Sequence, residues 1–362
     1  MALAAAGCEG PRGDAGTAGG DGNQGPAGPA GPGGPAGPPG SGICTEFQLP
    51  GETFFPEGIA LAGNGDLFVG SLTSGDIVAF EAAGDNPERA VFLDLGDDDI
   101  AGGVVGLLLV EDADERTFVA CDSDVSNPKA STVVRIDVSD LSQPTPVLTS
   151  HALEPSVADG NVFCNDIAVD SAGSLYATDS FGGQILIIPD DAEDEAAATL
   201  WKADPALAGT ARNPFGANGI VVLSDGTDEF VFVVNYALGT LHRIAIDPAD
   251  GSAGDLVPVA LTNGAGDTVT LSGPDGIKAF DDDNLIVVEN GANKLSKITL
   301  GDAFGATPTG KITVLSSRLD VPTTVAIDGD SALVVEGQLD HLLNPSLGSA
   351  ALPFCVSRVQ VY

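Results

Sequence analysis

The feature that most constrains the fold of this chain is an internal repeat that begins near residue 52. Each unit opens with a short polar or glycine-containing turn and runs through two apolar strands, and a third apolar strand follows in most units. The six units begin with "FPEGIALAGNGDLFVGS", "GGVVGLLLVEDADERTFVACD", "FCNDIAVDSAGSLYATDS", "GANGIVVLSDGTDEFVFVVN", "GPDGIKAFDDDNLIVVEN" and "VPTTVAIDGDSALVVEG". Each unit is long enough for about four strands, so the repeat predicts an all-β fold, a six-bladed β-propeller over residues 43–362.

The repeat also defines one equivalent residue in each unit, at intervals of 48, 60, 53, 57 and 48 residues. These residues are Gly58, Gly106, Asp166, Gly219, Gly276 and Thr324. In a propeller the first strand of every blade lines one central channel, so residues just ahead of those strands should meet at one mouth. Four of the preceding residues carry oxygen side chains, namely Glu57, Asn165, Asn218 and Asp275.

Two carboxylates and two amides form a ligand set suited to a hard divalent cation, and neither sulfur nor imidazole belongs to it. The pattern therefore predicts Ca²⁺ rather than zinc at the channel mouth. The alternative for any single residue is a turn-forming Asn or Asp that bonds its own backbone. Recurrence at equivalent places in four blades favours the metal site.

The first 42 residues have the composition of a different polymer. Glycine stands at every third position from Gly7 to Gly40, with prolines between. Over residues 10–42 this register predicts either a collagen-like triple helix, which would make the protein a homotrimer, or a disordered stalk. Residues 1–9 resemble the end of a bacterial lipoprotein signal, in which Cys8 would carry a lipid anchor.

The other four cysteines predict disulfides and hence an oxidising compartment. Four cysteines allow three pairings. Cys44 lies at the entrance to the repeats and Cys355 in the last strand, which suggests a clasp between the two ends. The second pair would then be Cys121 with Cys164, on the metal side of adjacent blades. With the lipobox-like segment, these cysteines predict an extracytoplasmic protein, either a bacterial cell-surface lipoprotein or a secreted one.

The charge balance excludes one class of partner. The chain of 362 residues has 52 Asp and Glu against 14 Lys and Arg, a formal net charge of −38. Such a charge repels phosphate backbones, so we expect no nucleic-acid partner. It is compatible both with hydration in salty water and with the concentration of divalent cations near the surface. No apolar stretch reaches the roughly 18 residues that predict a membrane-spanning helix.

The blade-opening motifs carry a family resemblance. "FPEGIA", "NDIAVDSAGSLYATDS", "NGIVV" and "PDGI" resemble motifs of the SMP-30/gluconolactonase/LRE-like superfamily over roughly residues 50–362. Its members are calcium-dependent six-bladed propellers that include the paraoxonases, and those with known activity hydrolyse lactones, esters or phosphotriesters. The resemblance implies that Glu57, Asn165, Asn218 and Asp275 bind catalytic calcium. The paraoxonase ring is closed by a disulfide between its ends, which is similar to the suggested Cys44–Cys355 pair.

Two departures limit what the resemblance implies. Paraoxonases place a histidine at the start of blade two, where this chain has GVVG at residues 103–106. They also have an acidic residue after the blade-one Glu for a second calcium, where this chain has Gly58. We therefore expect a carboxylate base and one metal, with a second metal held in part by Asp166 as the alternative. The candidates are Asp275, as ligand and base, and Asp166, which alternatively orients Asn165. His341 is a candidate proton shuttle.

The sequence supports two classes of function. The first is a calcium-dependent lactonase or esterase that acts on a small-molecule lactone or ester. The second is a non-catalytic, calcium-containing propeller that a stalk displays for glycan or protein binding. A lyase of the streptogramin-cleaving type is a third interpretation, disfavoured because the sequence does not identify a histidine in the position near the mouth that such an enzyme needs.

Overall fold

The strands of the repeat units pair into six separate sheets of four or five strands. A computed structural model describes residues 46–362 apart from 83–90, 94–99, 101, 112–115, 126, 141–146, 155 and 157–159. The six sheets confirm the predicted six-bladed propeller. The predictions for the Gly-X-Y segment, for Cys8 and for the Cys44–Cys355 pair concern residues 1–44 and lie outside the described residues.

The strands follow one another blade by blade along the chain. The strand nearest the N-terminus is β1 (Phe47–Leu49). Blade one contains β2 (Pro56–Leu61), β3 (Leu67–Ser71), β4 (Ile77–Phe80) and β5 (Val91–Phe92). Blade two contains β6 (Gly103–Glu111), β7 (Arg116–Ser123), β8 (Ser131–Asp137) and β9 (Val147–Ala152). Blade three contains β10 (Cys164–Val169), β11 (Leu175–Asp179), β12 (Gln184–Ile188) and β13 (Thr199–Ala203).

The second half repeats the pattern, with one added edge strand. Blade four contains β14 (Ala217–Ser224), β15 (Glu229–Asn235), β16 (Thr240–Ile246) and β17 (Ala253–Pro258). Blade five contains β18 (Ala260–Thr262), β19 (Pro274–Asp281), β20 (Asn284–Glu289), β21 (Lys294–Gly301) and β22 (Thr309–Ser316). Blade six contains β23 (Pro322–Asp328), β24 (Ser331–Glu336) and β25 (Phe354–Gln360). Strand β18 pairs with β22 in parallel, and the other pairs within the sheets are antiparallel.

The described helices are short. The α-helix α1 spans Leu339–Leu343, between β24 and β25. Three single-turn 3₁₀ helices span Pro205–Leu207, Asn290–Ala292 and Pro345–Leu347. None of the helices in the described part of the chain could span a lipid bilayer.

The first and last described strands close the ring in blade six. Strand β1 pairs with β25 as the outermost strand of that blade, with Phe47 opposite Val356. The Phe47 ring also lies 4.8 Å from the Phe80 ring of blade one. Because the first and last described strands share one sheet, this sheet closes the ring between the first and last blades.

The hydrophobic core lies between neighbouring blades. Phe68 of blade one and Phe118 of blade two, for example, meet edge to face with ring centroids 4.5 Å apart. Both side chains are fully buried. The core thus fixes each blade against the next and holds the first strands around the channel.

Every first strand carries the same β-bulge. The register against the second strand shifts between Pro56 and Ile59 in blade one, and at the corresponding place in the other five blades. This confirms the repeat alignment. It also corrects the prediction that the oxygen-bearing residues precede the strands, since Asn165, for example, lies within β10. A bulge lets a strand remain paired while it re-aims a side chain.

Two glycines that directly follow the candidate ligand residues allow neighbouring first strands to pack closely. A Cβ atom on Gly219 would lie 2.2 Å from the carbonyl oxygen of Asp275, and one on Gly276 would lie 2.2 Å from Oγ1 of Thr324. Only glycine lets the neighbouring first strands approach this closely.

Candidate functional site

A cavity of about 190 Å³ opens where the first strands begin. Glu57, Asn165, Asn218 and Asp275 all line it. Each occupies the same bulge position of its blade, and each is buried, with 2–6% of its surface exposed. The structure therefore brings together the four predicted ligand residues, although their binding of a metal stays a prediction.

The same ring position in the other two blades carries side chains of a different kind. Val105 occupies it in blade two and lines the cavity. Thr323 occupies it in blade six, where its hydroxyl donates to the backbone carbonyl of Glu57 at 3.2 Å. Sequence reasoning missed both, although the repeat alignment identifies their positions. The candidate oxygen ligands thus come from four of the six blades.

The carbonyl oxygen of Asn218 supports the fit of a cation. This Oδ1 atom is buried and has no hydrogen-bond partner among the described residues. An unpaired buried acceptor is costly unless something else satisfies it, and a hard cation prefers this type of ligand. The described residues hold no cluster of three or more His, Cys, Asp or Glu side chains that would suit a metal. The candidate set differs because two of its members are amides.

Burial strongly perturbs the two carboxylates of the set. Burial, with the nearby Asp166 charge, raises the pKa of Asp275 to about 8, while hydrogen bonds to the side chains of Asn218 and Asn290 oppose the rise. The pKa of Glu57 is raised well above its usual range, first by burial and then by the charges of Asp275 and Asp166. A bound cation would favour the ionised form of both groups.

Asp166 lies in the same bulge as Asn165 but is not among the described residues that line the cavity. Its carboxylate accepts the backbone N–H of Ile167 at 2.9 Å and that of Ile220 at 3.2 Å. The Lys278 ammonium lies 3.5 Å from Oδ1, the carboxylate oxygen that accepts from Ile167. These contacts favour the positioning role over the role of base, and the catalytic role of Asp166 stays a prediction.

His341 lies in helix α1, whose residues Leu339, Asp340 and Leu343 line the cavity. The histidine itself is not among the lining residues of the described chain, and its Nδ1 lies 3.0 Å from the carbonyl oxygen of Gly348. The structure thus places His341 in a helix at the mouth without bringing it to the four candidate ligand residues. Its role as a proton shuttle stays a prediction.

Phe163, Phe215 and Tyr236 form a largely apolar part of the cavity wall. Phe163 and Phe215 pack with their ring centroids 5.8 Å apart, and Phe215 lies 6.1 Å from the Tyr236 ring. The Tyr236 hydroxyl donates to Asn290 Oδ1 at 2.9 Å, and burial with the Asp275 charge raises the pKa of this phenol. Sequence reasoning did not assign Asn290 to the site, because it follows the second strand of its blade and not the first.

The predicted disulfide between Cys121 and Cys164 is confirmed. Their Cα atoms lie 5.3 Å apart, and both residues are fully buried. Cys121 is in β7 and Cys164 is in β10, directly before Asn165. The bond therefore joins blades two and three beside one of the candidate ligands.

Solved structures of several enzymes share this fold. The periplasmic gluconolactonase of Pseudomonas aeruginosa gives a TM-score of 0.55 at 15% identity over 84% of this chain and 85% of that one. The PQQ-bound aldose sugar dehydrogenase of Streptomyces coelicolor gives 0.54 at 17% identity over 88% and 96%. A luciferin-regenerating enzyme gives 0.52 at 15% identity over 85% and 91%. No family model matches the chain, and no curated protein sequence does. Identities this low show a shared fold only.

Proposed function

We propose that this protein is a calcium-dependent hydrolase of the lactonase or esterase type. The observation that carries the proposal is the convergence of four oxygen side chains, from the same bulge position of four blades, on one cavity. The Oδ1 of Asn218, which has no hydrogen-bond partner among the described residues, adds a specific reason to expect a cation there. The gluconolactonase with the same fold supports the reaction class.

Glu57, Asn165, Asn218 and Asp275 would hold the ion. Calcium, when bound, would polarise a carbonyl or phosphoryl oxygen of the substrate as a Lewis acid. Thr323 fixes the backbone at Glu57, and the disulfide at Cys164 fixes the backbone at Asn165. Both the hydrogen bond and the disulfide attach to residues in strands, which hold a site more precisely than loops do.

Asp275 is the proposed general base. It lines the cavity, and the side chains of Asn218 and Asn290 hold its carboxylate by hydrogen bonds. Once ionised, it can accept a proton from the water that attacks the substrate. No histidine is among the described residues that line the cavity, which favours this carboxylate mechanism over a histidine-dependent one.

The cavity walls favour a neutral substrate with an apolar group. Phe163, Phe215 and Leu343 are among the lining residues, and no lysine or arginine is among those described. A charged substrate phosphate would therefore lie near the carboxylates, and no lysine or arginine among the described wall residues would offset the repulsion. The Tyr236 hydroxyl and the Asn290 amide already bond each other, so they offer a polyhydroxylated sugar little.

An extracytoplasmic location is part of the proposal. The buried Cys121–Cys164 disulfide is typical of oxidising compartments. The gluconolactonase that shares the fold is periplasmic. Attachment through Cys8 and trimerisation through the Gly-X-Y segment remain predictions for the N-terminal residues.

A substrate screen tests the proposed function. The purified full chain would be assayed against alkyl lactones, gluconolactone, aryl esters and phosphotriesters, with calcium and with a chelator. We expect calcium-dependent turnover that is higher for alkyl lactones or aryl esters than for gluconolactone. A protein that binds calcium but turns over none of these classes would instead support the displayed binding module.

A further inference from the structure

The channel below the four candidate ligands contains one buried acidic side chain and one lysine. At the position directly after the bulge residue, five blades carry an uncharged residue and blade three carries Asp166. Two residues further along the first strands, the six equivalent residues are Ala60, Leu108, Ala168, Val221, Lys278 and Ala326. One charge of each sign therefore occurs in these two layers.

The two charges meet across the channel. Lys278 comes from blade five and Asp166 from blade three, yet Nζ lies 3.5 Å from Oδ1. The Lys278 side chain is 20% exposed and lines a second cavity of about 220 Å³ with apolar residues such as Ile59 and Val325. Ala326 of the neighbouring blade six also lines this cavity. Lys278 is three residues after Asp275 in β19, and its partner Asp166 follows Asn165 in β10, so the ion pair lies beside the candidate ligand set.

The formal charge of the channel site is the sum over four ionisable side chains. When ionised, Glu57, Asp275 and Asp166 contribute three negative charges, and Lys278 contributes one positive charge. The net charge of −2 matches a single divalent cation. Asp340 also lines the cavity, but it is exposed, so solvent screens its charge.

We propose that Lys278 acts as a built-in cation that sets the charge of the channel site to −2 and thereby determines its preference for one divalent ion. The inference rests on the proposed calcium site. Lys278 is a specificity-determining residue that touches no substrate, because it lines the second cavity and not the cavity that Phe163 and Phe215 line. Its charge affects whether the site prefers a divalent or a trivalent ion.

A competition between Ca²⁺ and Tb³⁺ measures this charge directly, because both ions prefer oxygen ligands and they differ by one charge. The full chain would be titrated with each ion alone and in competition, at neutral pH and fixed ionic strength. In Lys278→Met the uncompensated charge becomes −3. We expect the ratio of Tb³⁺ to Ca²⁺ affinity to rise on the order of tenfold, since the extra ion charge acts on one more negative charge.

Three matched variants separate charge from packing. Lys278→Arg keeps the charge and should keep the wild-type ratio. Lys311→Met, on exposed strand β22 of the same blade, removes a lysine charge far from the channel and should also keep it. Asp166→Asn should lower the ratio, and the double variant Lys278→Met/Asp166→Asn should restore the wild-type value.

The outcomes distinguish this inference from the proposed function. If the wild type binds neither ion, the calcium site is wrong and the inference fails with it. If the wild type binds one calcium but Lys278→Met changes the ratio no more than Lys311→Met does, only the role of Lys278 is wrong. Should Lys278→Met not fold, an unchanged ratio in Asp166→Asn would overturn the inference equally.

Discussion

At the scale of single residues, Asp275 and Glu57 differ in what surrounds their carboxyl groups. The side chains of Asn218 and Asn290 hydrogen-bond Asp275, whereas the charge that opposes the raised pKa of Glu57 is Lys278. Asp275 is therefore held in one orientation within the cavity. This difference underlies the separate roles assigned to the two residues.

The first prediction separates base from ligand. Asp275→Asn keeps an oxygen ligand and removes the proton acceptor, so kcat should fall by on the order of a hundredfold or more. Glu57→Gln should weaken calcium binding first and recover part of its activity at high calcium. Steady-state kinetics over a calcium series would measure both effects. An Asp275→Asn enzyme as fast as wild type would require another base, with Asp166 and His341 the next residues to change.

The second prediction concerns pH. Without calcium, Asp275 has a pKa raised to about 8, so the folded state binds more protons than the unfolded state between about pH 4 and about pH 8. Its contribution to the free energy of unfolding is therefore present at low pH and lost as pH rises through that window. Calcium binds the ionised form, so stabilisation by calcium should grow over the same window.

Denaturant unfolding with chelator and with calcium, at about pH 5 and about pH 8, measures this dependence. Asp275→Asn is the control, because it lacks the titrating group and should show a weaker dependence in chelator. Stabilisation by calcium that is equal at both pH values would argue against Asp275 as a ligand.

At the scale of elements, the bulge of each first strand matters more than the turn that precedes it. The bulge directs the side chain into the cavity, and the following glycine admits the next strand. In blade four both functions fall on adjacent residues, Asn218 and Gly219. Packing and ligand geometry are therefore coupled at this point.

The third prediction tests that coupling with Gly219→Ala. The added Cβ would overlap backbone atoms of Asp275 and Ile277, which cannot move without displacing a ligand. We expect a loss of about 3 kcal/mol in unfolding free energy together with weaker calcium binding. Gly264→Ala is the matched control, because a Cβ there meets no atom within 4 Å. Calcium affinity unchanged in Gly219→Ala would show that the strand spacing does not set the ligand geometry.

The fourth prediction concerns the disulfide between blades two and three, which encloses a sequence separation of 43 residues. In the chain-entropy model, its loss in Cys121→Ser/Cys164→Ser should cost about 4 kcal/mol. Because Cys164 precedes Asn165, calcium affinity should fall as well. Thermal unfolding and calcium titration of the double variant would measure the two effects. A variant with lower stability but wild-type calcium affinity would limit the bond to a role in the fold.

At the scale of the whole molecule, the repeat explains why the fold was predictable. Six units with equivalent glycine or polar positions can bury their apolar strands only by stacking around a common axis. Equivalent positions then identify Glu57, Asn165, Asn218 and Asp275 without any knowledge of distances. The position of the bulge within the strand was not predictable, since the strand signal begins at the apolar run.

The remaining features depend on contacts between distant parts of the chain. Lys278 stands in "GIKAF", where a strand with one solvated face predicts a surface lysine and not a channel residue. Its partner Asp166 is in another blade, and only the ring brings the two together. The orientation of His341 depends on how the five-residue helix α1 is rotated over the mouth, and periodicity in so short a segment cannot fix that rotation.

The central claim is that four side chains of one ring bind a single calcium ion, and calorimetric titration of the full chain tests it most directly. A chain with net charge −38 also attracts calcium weakly at its surface, so the comparison must be between variants. We predict one tight site in the wild type and in the exposed-surface control Asp282→Asn, and its loss or strong weakening in Glu57→Gln and Asn218→Ala. Calcium binding that is absent from the wild type, or unchanged in both ring variants, would contradict the account.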